Sequence, residues 1–442
     1  MGAGPPRRCI RPGRPLIDPL PAAADWRRVL WPGIAALVAV MGVGRFVYTP
    51  ILPEMLATGA LTLREAGWVA AANFLGYLLG ALAASAVHRR RLQGALARAG
   101  LGLTVAMLVA MALLDGTAAW SAARFLAGVG SAFSLVFVSI RVLERLSAIG
   151  EADRMVGLYA GVGVGIAGSA LLMLAAEHAG APWPAWWATA AVFTAPFAWV
   201  AWRGLADRGP AAAPAPRPAR DAALPAARDA AGAAAAQPPP VSVQGPARGR
   251  AAAAPGAPLA FAAAVLAYGL FGLGYVIHAT YLPAMVRAAG YPPAAATAIW
   301  VLVGLVALPS AALWRAVARR HGMRAAIALG YTVEGLTALV PLAGGSIGGA
   351  VVAAIGLGGT FMAVTGLALP FARALDPARA ARAIGVMTAA FGAGQIVGPI
   401  AAAHLAEAAP LGGNPFAMPS LLAFAALLAA AALMAPRLDS AR

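Results

Sequence analysis

The sequence is dominated by a succession of long apolar runs, and these limit its fold more than any other feature. Twelve are present, at roughly 29–56, 63–87, 95–115, 118–143, 154–177, 182–204, 258–286, 292–317, 325–343, 346–374, 381–407 and 415–435. Each is close to the ~20 residues that cross a bilayer core as a helix. Backbone N–H and C=O groups in lipid must find partners within their own segment, so the runs predict helices. Barrel strands would be shorter and would alternate polar with apolar residues. Only 11% of the 442 residues are charged and mean hydropathy is +0.77. A soluble chain carries about a quarter charged residues. The reading is therefore an all-α membrane protein with twelve transmembrane helices.

The polar remainder divides the chain. Residues 1–28 form a basic N-terminal tail without the apolar core of a cleaved signal peptide. Residues 206–257 are nearly all Ala, Pro, Arg, Asp and Gly, with Pro238, Pro239 and Pro240 in a row. Such a segment buries too little apolar surface to fold and reads as a disordered cytoplasmic linker. It separates a six-helix bundle at 29–205 from a second at 258–436, which ends in a tail at 437–442.

The net charge of +17 points, taken alone, to nucleic acid. The positions of the charges say otherwise. All 33 basic residues are arginines, and 29 of them fall on the side of the membrane that holds the N-terminus. Arg64 and Arg287 are on the opposite side, and Arg45 and Arg124 are inside spans. This asymmetry marks the cytoplasmic face. Both termini and the linker are expected there, in a bacterial cytoplasmic (inner) membrane. The lone Cys9 excludes an internal disulfide or a cysteine metal site, and no metal or cofactor is expected.

The halves repeat at an offset of 230 residues. Gly42, Gly44, Leu52, Pro53 and Met55 match Gly272, Gly274, Leu282, Pro283 and Met285. Arg89 and Arg90 match Arg319 and Arg320, and Gly128 matches Gly358. Six spans separate equivalents, so the repeats are parallel, as in transporters that rock two halves about a central site.

Polar residues at membrane depth are the candidates for function. An arginine at the centre of a span costs about 2.5–3.5 kcal/mol, so Arg45 is expected to face the bundle interior. Tyr48 and Thr49 follow on its face. Pro50 and Pro53 then disturb the helix and free carbonyls. A guanidinium fork beside hydroxyls suits a carboxylate or phosphate. Tyr268, Phe271, Tyr275 and His278 form one stripe, and Tyr275 takes the place of Arg45 in the second repeat. Asn73 and Tyr77 pair in span two, and Thr388, Phe391 and Gln395 in span eleven. Glu334 is the one carboxylate deep within a span. Glu144 and Arg145 form a candidate gating pair, while Asp115, Glu177, His404 and Glu407 are expected to face water.

Several of these stretches resemble the major facilitator superfamily. Arg124-Phe125-Leu126-Ala127-Gly128-Val129-Gly130-Ser131-Ala132 resembles its fourth-helix motif. Gly157, Gly161, Gly165 and Gly168 resemble its glycine-rich antiporter motif, with Ile166 in place of proline. Gly80 to Arg91 resembles its gating loop, with Ala84 and Ser85 where an acid is usual. Gly44-Arg45-Phe46-Val47-Tyr48-Thr49-Pro50, Asn73 to Gly80 and Phe391 to Pro399 resemble the YbfB/YjiJ-type branch. The resemblance implies that helices one, four, seven and ten line a central cavity. It also implies that span nine is peripheral and that Arg124 acts in proton coupling or packing.

The expected function is secondary transport of a small organic anion by ion-coupled, rocker-switch alternating access. The alternative is proton-coupled export of lipophilic compounds. The expected substrate-binding set is Arg45, Tyr48, Thr49, Asn73, Tyr77, Arg124, Tyr275, His278 and Gln395; Arg124, His278 and Glu334 are the proton-coupling candidates. The expected partners are a small-molecule substrate and the lipid bilayer, without nucleic acid, for a chain acting as a monomer. No GxxxxGK[ST] sequence is present, which leaves ATP-driven pumping unsupported. The scattered acids and histidines likewise give little support to a membrane-embedded enzyme.

Overall fold

The computed structural model describes residues 25–205, 257–339, 346–408 and 411–435. Most of the expected N-terminal tail and linker, and all of the tail at 437–442, lie outside the described residues. The described chain is helical, with a single bridge between Leu411 and Asn414 and no strand among the described residues.

Twelve helices follow the twelve apolar runs. In the first half they are α1 (Trp26–Ala57), α2 (Leu63–Ser85), α3 (Arg90–Leu113), α4 (Thr117–Ala148), α5 (Ala160–His178) and α6 (Trp183–Leu205). The second half holds α7 (Ala257–Ala288), α8 (Pro293–His321), α9 (Met323–Ala338), α10 (Ile347–Leu375), α11 (Ala380–Ala408) and α12 (Ala417–Met434). Ten of these spans are long and apolar enough to cross a membrane by their own composition. The exceptions are the tryptophan-rich α6 and the 16-residue α9.

Local chemistry sets the helix starts. Thr62 and Glu65 form a reciprocal capping box at α2, with Thr62 N–H donating to Glu65 Oε2 at 2.8 Å. Ser346 accepts from Gly349 N–H at the start of α10. One helix departs from regularity where the sequence places its intramembrane arginine. In α1 a π-helical turn at Val38–Val43 is followed by a break, and the helix resumes at Tyr48. The break lies just before Pro50, which has no N–H to offer the preceding turn.

Within the first half α4 packs on α2 and α3, and α1 on α5 and α6. The second half pairs α7 with α11 and α12, and α8 with α10. The halves meet along α5 with α8, α2 with α11, and the end of α1 with α7. Backbones come close there because both sides are small. A Cβ on Gly163 of α5 would fall 2.8 Å from the Gly304 carbonyl oxygen of α8. The glycines of α5 also face inward, where Gly165 meets Gly42 across the α1–α5 contact.

Candidate substrate site

The break in α1 puts Arg45 at the meeting of the two halves. It is only 5% exposed. Its guanidinium carbon lies 4.4 Å from the Tyr77 ring centre, 4.8 Å from that of Phe74 and 5.8 Å from that of Phe46. Cation–π contacts are each worth about 0.5–2 kcal/mol, depending on desolvation, and three of them offset part of the burial cost. No carboxylate pairs with Arg45 among the described residues. The hydroxyls of Tyr77 and Tyr275 lie close to it. The Arg45 Nε is buried without a hydrogen-bond partner.

Arg45 borders a small cavity of about 30 Å³, lined by both halves. The first half contributes Arg45, Phe46 and Tyr159; the second contributes Tyr275, Phe361, Phe391 and Gln395. Gln395 Nε2 donates to the Tyr275 hydroxyl. The rings of Tyr275 and Phe391 are parallel within 1°, with centres 5.6 Å apart. Tyr275 and Phe361 are 6.2 Å apart at 11°.

Four of the residues expected at the site come together: Arg45, Tyr77 behind it, Tyr275 and Gln395. The others are held elsewhere. Arg124 donates to the Gly44 and Arg45 carbonyls at 2.9 and 2.8 Å. It thereby satisfies backbone groups freed by the break in α1. Asn73 Nδ2 donates to the Arg124 carbonyl at 2.9 Å, Tyr48 to the Ala66 carbonyl at 3.1 Å, and Thr49 to the Ala279 carbonyl at 2.6 Å. His278 is not among the residues that line the cavity. It is buried near the backbone of Gly274 and Ala338, where neither ring nitrogen completes a hydrogen bond. Glu334 accepts from Thr360 Oγ1 at 2.6 Å, and its Oε1 has no partner.

Glu144 pairs with Arg90 at 3.0 Å rather than with Arg145, which donates to the Gly204 carbonyl. Glu407 is not simply solvated. At the end of the bundle opposite Trp26 it pairs with Arg64 at 2.7 Å, and Glu54 pairs with Arg287 at 3.4 Å. Both pairs cross between the halves at that end. Glu177 has a buried, unpartnered Oε2 at the same end. Phe46, Phe74, Tyr159 and Phe361 escape a reading based on charge and hydrogen-bonding groups. Phe46 and Phe74 pack around the Arg45 cation, and Tyr159 and Phe361 line the cavity. Adjacency of Phe46 to Arg45 is the one local signal.

A family model described as uncharacterised MFS-type transporter YbfB matches residues 37–234 and 230–435. No curated protein matches the sequence. Among solved structures, the nucleoside transporter NupG aligns with a TM-score of 0.64 at 14% identity, over 92% of this chain and 98% of that one. A point variant of NupG aligns at 0.62 with 11% identity over the same shares. At these identities the likeness speaks for the fold, two parallel six-helix repeats spanning a membrane. The family model covers nearly all the described helices, and the chain therefore belongs to the major facilitator superfamily, in its YbfB-type family of transporters.

Proposed function

We propose that this protein is a secondary active transporter for a small organic anion. The observation that carries this reading is the Arg45 guanidinium, buried at the border of the cavity between the halves and paired with no carboxylate among the described residues. A buried cation without a countercharge is costly, and an anionic substrate supplies the missing charge. The bilayer is its second partner, and one chain encloses the whole site. The arginine asymmetry supports a bacterial cytoplasmic membrane with both termini inside. On that orientation the far-end ion pairs close the outer side, and the two bundles, 29–205 and 258–436, rock about the cavity. Glu334 and His278 are the proton-coupling candidates, because both are buried with unsatisfied polar atoms. Arg124 is better placed to hold the break in α1.

A second reading is export of lipophilic compounds, favoured by the aromatic wall of the cavity. Proteoliposomes distinguish the two. Uptake of an organic anion that saturates, responds to a proton gradient and disappears in Arg45→Gln supports the first. Normal flux in Arg45→Gln, in protein that inserts and folds, overturns it. NupG carries nucleosides by its name, so uridine belongs among the solutes tested.

A further inference from the structure

Thr360 makes two short contacts with other oxygens but has one hydrogen to give. Its Oγ1 lies 2.6 Å from Glu334 Oε2 and 2.7 Å from the Gly356 carbonyl oxygen. Oxygens this close are held by a hydrogen between them, so the two contacts need two hydrogens. A carbonyl has none and a hydroxyl carries one. With Glu334 ionised, Thr360 donates to it and the Gly356 contact is left without a hydrogen. With Glu334 protonated, Oε2–H donates to Thr360, Thr360 donates to the Gly356 carbonyl, and both contacts are satisfied.

The surroundings favour the neutral acid for a second reason. Glu334 is 2% exposed, and its Oε1 is buried with no partner. No cation pairs with it among the described residues. A buried charge without a partner is costly. Helix α9 packs on α7, α8, α10 and α12. Of these, α12 has no ionisable side chain, and those of α8 and α10 begin at Arg315 and Arg373, towards the C-terminal ends. The ionisable groups within electrostatic reach of Glu334 are Tyr331 on α9 itself and Tyr275 on α7. His278 of α7 lies against the Ala338 backbone, one turn further along α9. Gly356 lets Thr337 of α9 press against α10 with no room for a Cβ, which keeps the acid and Thr360 together.

We propose that Glu334 is the proton-binding site of this transporter and is occupied in the present conformation. On release the proton passes from Oε2 to water, and the bonding pair stays on the carboxylate. Thr360 then turns its hydroxyl from the Gly356 carbonyl to the charge. One hydrogen bond does not replace the hydration of a carboxylate, so the ionised form requires water at Oε1. Loss of the proton therefore favours a conformation in which α9 and α10 admit water. Thr360 adjoins Phe361, which lines the cavity with Tyr275, so the proton sits just behind the space beside Arg45. The role in coupling rests on the transport reading above and deepens it by choosing Glu334 over His278; the protonation stands on the hydrogen bonds alone.

Infrared spectroscopy of the purified full-length protein in detergent tests the proposal. At neutral pH ordinary carboxylates are ionised and do not absorb as acids. A carboxylic-acid carbonyl band is expected in the wild type, to be lost in Glu334→Gln and shifted to higher frequency in Thr360→Val, where the acid has no acceptor. Equal acid-band intensity in wild type and Glu334→Gln overturns the proposal. Should Glu334→Gln fold poorly, an unshifted band in Thr360→Val overturns it instead. Hydrogen–deuterium exchange of residues 347–375, compared between wild type and Glu334→Gln at each pH, reads the conformational part. The two should exchange alike at neutral pH, and the wild type at least about threefold faster at alkaline pH, where the acid ionises and the helices open locally. Equal exchange at both pH values overturns the link between proton and conformation. Neither measurement uses a substrate, so their failure leaves the anion reading of Arg45 to its own flux test.

Discussion

Thr49 and Ala279 stand one repeat apart in sequence, 230 residues, and touch in space: Thr49 Oγ1 donates to the Ala279 carbonyl at 2.6 Å. Equivalent positions of two parallel repeats meet only where the axis relating them passes. The hydrogen bond therefore marks the pseudo-two-fold axis between α1 and α7. It lies four residues from Arg45, on the side of the cavity where the two ion pairs across the halves lie.

Thr49→Val removes this bond while keeping the side chain's shape. Stability should fall by about 0.5–1.5 kcal/mol, with the Ala279 carbonyl left buried. Thermal unfolding in detergent reads the change, and Thr49→Ser should restore most of it. Wild-type stability in Thr49→Val would show that the contact contributes nothing.

Arg124 and Arg45 should fail in different ways. Arg124→Leu leaves the Gly44 and Arg45 carbonyls without donors, at about 1–3 kcal/mol each. Lower yield and a lower unfolding temperature are expected, and Arg124→Lys should not restore them, because an ammonium lacks the planar fork. Arg45→Gln should instead insert and fold while losing transport. Size-exclusion profiles beside flux measurements separate the two outcomes; a stable Arg124→Leu with normal flux would count against this account.

The far-end pairs Arg64–Glu407 and Arg287–Glu54 are partly exposed and add little to stability, about 0–1 kcal/mol each. Their effect should appear in the balance of conformations. In Arg64→Ala/Arg287→Ala, a cysteine placed at Ala279 in a Cys9→Ser background should react faster with a charged thiol reagent than with both pairs intact. Unchanged labelling means that the pairs do not hold this end shut.

Gly304 faces Gly163 and Ala167 of α5 across the halves, so a side chain there must displace backbone. Gly304→Val should abolish transport at near-normal expression. Gly348→Ala, where the added Cβ meets nothing within 4 Å, should be silent. Proteoliposome flux of both variants decides whether close approach of α5 and α8 is part of the cycle.

Much of the fold was legible because the bilayer imposes a simple rule. Twelve apolar runs became twelve helices, and ends shifted by only a few residues where caps such as Thr62 and Ser346 act. The site was less legible. Arg45, Tyr77, Tyr275 and Gln395 announced themselves as polar groups at membrane depth. Asn73 and Arg124 carried the same signal, yet both are occupied by backbone carbonyls. Sequence spacing shows which residues share a helix face, but not what occupies the facing helix.

The sequence by itself determined the number of spans, the repeat of 230 residues and the arginine asymmetry. Each depends on local composition or on an offset along the chain. Only the tertiary structure decided which intramembrane arginine meets the cavity. Arg124 commits both terminal nitrogens to the carbonyls that the break in α1 exposes, and Arg45 is held by aromatic rings with no carboxylate partner among the described residues. The physical reason is that hydrogen-bond satisfaction inside a membrane depends on partners far apart in sequence. Arg124 reaches α1 across 80 residues, and Tyr275 meets Gln395 across 120.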